Sequence, residues 1–138
     1  MNPRQFLLAG GIILLILGIF GFLFPNPVAN NQVLHFDIWE NWIHTLLGIG
    51  AIIFAYVLPV VAQRWVTLLV GAVALFFAGA GFALIGQSFP NLWSAANLEN
   101  PIDNIIHLAV GIWGLVVGAI SFREAKSMRR QEQIRRAA

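Results

Sequence analysis

The sequence predicts an all-α integral membrane protein, a four-helix bundle assembled from two tandem hairpins. Three observations predict it. Charge is scarce, at 10% of residues against 59% hydrophobic. Four long runs carry no Asp, Glu, Lys or Arg, and the second half of the chain repeats the pattern of the first. A soluble domain has about a quarter of its residues charged, so this composition cannot cover a water-facing surface and lipid is the matching solvent.

The first run, 6–24, has 19 residues and follows "MNPR". That opening looks like a secretory leader, but the run is long for one and no small-x-small cleavage site directly follows. The later runs are 45–62 (18 residues), 65–86 (22) and 105–122 (18), the last with His107 as its one ionisable group. Each approaches the ~20 residues that cross a ~30 Å hydrocarbon core as a helix. They define one membrane domain, 1–122, with repeat one at 5–62, repeat two at 65–122 and a basic tail at 123–138. This leaves no room for a soluble catalytic domain. No Ser–His–Asp set, phosphate-binding glycine loop or metalloprotease motif occurs, so no enzyme is expected. The absence of cysteine excludes disulfides and thiolate chemistry.

Charge sets the orientation. Arg4 precedes the first span, and Arg64 falls between the second and third. Arg123, Lys126, Arg129, Arg130, Arg135 and Arg136 follow the fourth. Asp37, Glu40, Glu99 and Asp103 fall on the opposite side. Lys and Arg near span ends stay in the cytoplasm, so both termini are expected there, in a bacterial inner membrane or an intracytoplasmic or thylakoid one. Trp39, Trp42 and Trp93 suit the outer interface and Trp65 the inner.

The repeat is read from two offsets. At 63 residues, Glu40, Asn41, Ile43, His44 and Gly48 align with Asp103, Asn104, Ile106, His107 and Gly111. At 60 residues, Gly11, Gly18, Gly21 and Phe22 align with Gly71, Ala78, Gly81 and Phe82. Span one is therefore half of a structural unit and is retained. Each unit has two spans, so both halves enter from the same side. They form a parallel repeat with a pseudo-twofold axis along the membrane normal. In lipid, helices associate through close van der Waals contact at small residues. Gly11, Gly18, Gly21, Gly48, Gly111, Gly114 and Gly118 are the expected packing positions.

Asp37 and Asn100 are expected helix caps. Glu40 and Asp103 stand three residues on, where an acid reaches back to the cap, and Pro101 suits the first helical position. Capping leaves the histidines unexplained. In each half the acid, Asn and His fall at spacings of three and four, on one helix face. Each imidazole lies ~6 Å beyond its acid, inside the outer leaflet, where ionisable groups turn inward to partners. One reading is a polar clamp of Glu40, Asn41, His44, Asp103, Asn104 and His107 joining the halves. The other is ligation, with His44 and His107 holding haem b or a chlorophyll-type pigment and the acid fixing the ring tautomer. No metal site is expected, because two histidines with carboxylates lack a hydrolytic framework. His35 reads as a loop residue. Polar groups below the histidines are too sparse for proton passage.

The tail sets six basic residues against two acids. It is expected to prolong span four and to meet anionic lipid headgroups, with no nucleic acid as partner. The doubled "[ED]-N-x-I-H-x-x-x-G" resembles an uncharacterised bacterial membrane family, domain of unknown function four-three-eight-three. The resemblance covers residues 5–122 and implies a four-span fold in the bacterial inner membrane without an activity. The expected role is a small structural or accessory subunit of a membrane assembly, through other subunits or self-association, with no cofactor. The alternative is pigment binding at His44 and His107.

Overall fold

The computed structural model describes residues 1–24, 38–87 and 102–137. They form four α-helices: α1 Pro3–Leu23, α2 Ile38–Val57, α3 Val60–Ala83 and α4 Ile102–Ala137. All four are long and apolar enough to cross a membrane. The expected caps Asp37 and Asn100 lie outside the described residues, as do His35, Trp93, Glu99 and Pro101.

Local chemistry explains the ends that are described. Asn2 Oδ1 accepts from the Gln5 backbone N–H at 2.9 Å, and Gln5 Oε1 accepts from the Asn2 backbone N–H at 3.0 Å. This reciprocal box satisfies two free donors, with Pro3 at the first helical position. The uncharged runs place the second turn around Arg64, but it falls at Leu58 and Pro59. Proline disfavours helix at the residue before it, so α2 stops at Val57 and α3 starts at Val60. Gln63 then closes the turn. Its Nε2 donates to the Ala55 and Leu58 carbonyls at 3.1 and 2.9 Å. The fourth helix continues unbroken into the basic tail, as expected.

Burial is inverted relative to a water-soluble bundle. Ile16, Leu46, Leu69 and Phe76 are exposed, while many buried positions are small or polar. The buried small residues recur every seven positions: Gly11 and Gly18, Gly48 and Ala55, Gly71 and Ala78, Gly111 and Gly118. This is the spacing of left-handed helix pairs. It lies along α1 against α2 and along α3 against α4, the two closely packed pairs. A Cβ on Gly11 would stand 2.9 Å from the Gly48 carbonyl oxygen, and one on Gly71 3.0 Å from that of Gly111. The backbones therefore meet at the same register in both hairpins.

The hairpins join chiefly through α1, which also touches α3 and α4. Phe6, Leu7, Ala55 and Val117 form the apolar core. Phe6 meets the Trp113 ring edge-on at 4.7 Å. It also abuts Gly114 where that glycine meets Gly71.

Candidate functional site

The six polar residues singled out at the starts of α2 and α4 separate into two groups. Asn41 and Asn104 turn into their own hairpins. They are 3% and 0% exposed, and each carboxamide oxygen lies where a Cβ would stand on Gly21 or Gly81. Asn41 Oδ1 has no N–H or O–H donor among the described residues, and the glycine Cα–H offers only a weak contact. These amides fix the rotation of α2 on α1 and of α4 on α3.

That rotation turns the acids and histidines outward from each hairpin. Glu40 and His44 of α2, with Asp103 and His107 of α4, front one crevice of about 500 Å³. It descends between the hairpins over α1 to Phe6 and Trp113. His107 Nδ1 lies 2.9 Å from the Asp103 carbonyl oxygen and 3.2 Å from its Oδ1. Both are acceptors, so Nδ1 carries a proton and donates; Nε2 is an acceptor on the neutral ring and a second donor on the imidazolium. Phe77 packs on this ring, centroids 5.7 Å apart. The Asp103 and His107 side chains are about a quarter exposed, at 25% and 26%. No three acids or histidines among the described residues gather closely enough to hold a metal ion.

Gly11, Gly18, Gly21, Gly48 and Gly111 sit within their own hairpins, as does Gly118, which faces Leu68. Gly114 alone of the predicted set touches both hairpins.

Three features escape the reading of motifs. The Arg4 guanidinium lies 4.9 Å over the Tyr56 ring, and that of Arg64 5.8 Å over Phe122. Arg64 Nε also donates to Ser121 Oγ at 2.9 Å. The two arginines obey the 60-residue offset, so the signal was present. The Asn–Gly contacts join two sets already recognised by alignment but not connected to each other. The contact of Phe6 with Trp113 breaks the repeat, since the aligned positions are Val66 and Gly50.

Compared with protein-family models, curated proteins and solved structures, the chain matches none.

Proposed function

We propose that the protein is a non-enzymatic, multi-pass membrane protein that serves as a small accessory or structural subunit of a larger membrane assembly. In this reading the two hairpins share one orientation, are related by a pseudo-twofold axis along the membrane normal, and keep both termini in the cytoplasm. The observation that carries it is unequal packing. Each hairpin is zipped by backbone-close glycine contacts, whereas the hairpins lean on each other chiefly through α1. Helices in lipid gain association energy mainly from such close contact, so a loosely joined pair of hairpins leaves faces for a neighbour. The repeated register of Gly11 on Gly48 and Gly71 on Gly111 supports the duplicated architecture.

Extraction into lipid nanodiscs directly from the membrane, followed by mass measurement, tests the proposal. A particle holding further protein beyond one 15.2 kDa chain is expected. A lone chain in every particle, under extraction that preserves known complexes, would sink the subunit reading.

A further inference from the structure

We propose that the crevice between the hairpins binds a lipophilic quinone or its hydroquinone, entering from the bilayer. This rests on the lipid-embedded reading above, because the ligand has to arrive through hydrocarbon.

The crevice has a cause in the sequence. On one side of the hairpin junction Phe6 fills the space against Trp113 and Gly114. The repeat-aligned residues are Val66, Gly50 and Ala51. All three line the crevice. Phe6 and Trp113 bound the crevice at one end, whereas their repeat counterparts carry no ring, and an added Cβ on Gly50 would meet nothing within 4 Å. The space is therefore built into the fold by a difference in side-chain size.

Its lining selects the occupant. A volume of about 500 Å³ lies within the usual range for small-molecule sites, ~300–1,000 Å³. The walls are hydrocarbon and aromatic, with Phe54, Val70 and Trp113 among them. Glu40 and His44 of α2 and the paired Asp103 and His107 of α4 reach it from different helices. A plain acyl chain offers these groups no hydrogen bond. A phospholipid headgroup would bring its phosphate beside two carboxylates, with no Lys or Arg among the lining residues. A flat ring bearing an oxygen on each of two opposite edges matches better. With His107 Nδ1–H held by Asp103, Nε2–H donates to a quinone carbonyl when the ring is protonated, whereas the carboxylates and the neutral ring's Nε2 accept from hydroquinone hydroxyls. The apolar walls take the tail. Binding alone is proposed, without electron transfer.

The test is titration of the full-length protein in phosphatidylcholine nanodiscs with decylubiquinone, following tryptophan fluorescence, since Trp113 lines the crevice. Saturable quenching above the linear background of empty-site partitioning is expected. Gly50→Phe, filling the space, should raise the apparent Kd about tenfold or more, with helicity and elution unchanged. Val66→Phe serves the same purpose if Gly50→Phe does not fold. Asp103→Asn should weaken binding without blocking the crevice. Quenching that never saturates, or saturates equally in the filled variants, overturns the proposal. So does a haem or chlorin absorption spectrum lost in His107→Ala, or a phospholipid retained in the site by native mass spectrometry. Saturable binding by a lone chain would refute the subunit reading but not this one. A large assembly without it would do the reverse.

Discussion

At Gly21 and Gly81 a hydrogen in place of a methyl group decides how two helices meet. The carboxamides of Asn41 and Asn104 occupy the volume a Cβ would need, and both asparagines are almost wholly buried. Gly21→Ala or Gly81→Ala should therefore cost about 1–3 kcal/mol through overpacking, read as a lower denaturant midpoint in bicelles. Gly79→Ala is the control. An added Cβ there meets nothing within 4 Å, so the change should be neutral or stabilise by up to about 1 kcal/mol through helix propensity. Asn41→Ala combined with Gly21→Ala should recover part of the loss, because neighbours in contact are not additive. An equal cost at positions 21 and 79 would mean that the carboxamide is not the obstacle.

Each helix pair is held by a different device at each end. Near the amide end, Asn41 and Asn104 set the rotation. At the opposite end, Arg4 and Arg64 lie over aromatic rings of α2 and α4. Gln63 supports the α2–α3 turn, where its two donated bonds satisfy carbonyls left free at the end of α2. Gln63→Ala should cost about 1–3 kcal/mol, since buried acceptors lose their donor. Gln63→Met, similar in length but unable to donate, should not restore it, and unfolding of the two variants side by side checks this. The number of helices was legible from hydropathy, because a lipid-crossing helix needs an unbroken apolar length. Their ends were not. Glu40 and Asp103 lie inside α2 and α4, so runs of uncharged residues begin late, and Pro59 rather than the first charge sets the turn. The acid–histidine pairs were legible as a repeat at helix spacing. Their division from Asn41 and Asn104 was not, because it depends on which face of α2 meets α1. The crevice was equally hidden. Alignment shows Val66 opposite Phe6 and Gly50 opposite Trp113, but only packing shows that the missing volume stays open.

Over the whole molecule, the distribution of charge and the length of α4 bear on the proposed topology. At 36 residues, α4 runs about 54 Å, well beyond a ~30 Å hydrocarbon core. Its uncharged stretch ends before Arg123, so Arg136 stands roughly 20 Å farther along the helix axis. If α4 stays near the bilayer normal, that exceeds the Debye length of about 8 Å at physiological salt. Arg123 and Lys126 then feel the headgroups, while Arg135 and Arg136 project into water, the latter paired with Glu132 at 2.8 Å. The chain contains no cysteine, so single replacements report topology without background. Gln87 and Ser127 are both exposed, one just beyond α3 and the other in the projecting part of α4. Under the proposed topology, with both termini cytoplasmic, Gln87→Cys should react with a membrane-impermeant maleimide added outside intact expressing cells. Ser127→Cys should react only after lysis. Moving the basic residues to the other side should reverse the pattern, since Lys and Arg near the spans set orientation. Labelling of Ser127→Cys in intact cells would show that the tail faces outward, and with it Arg4 and Arg64. The end of the crevice bordered by Glu40 and Asp103 would then lie on the cytoplasmic side.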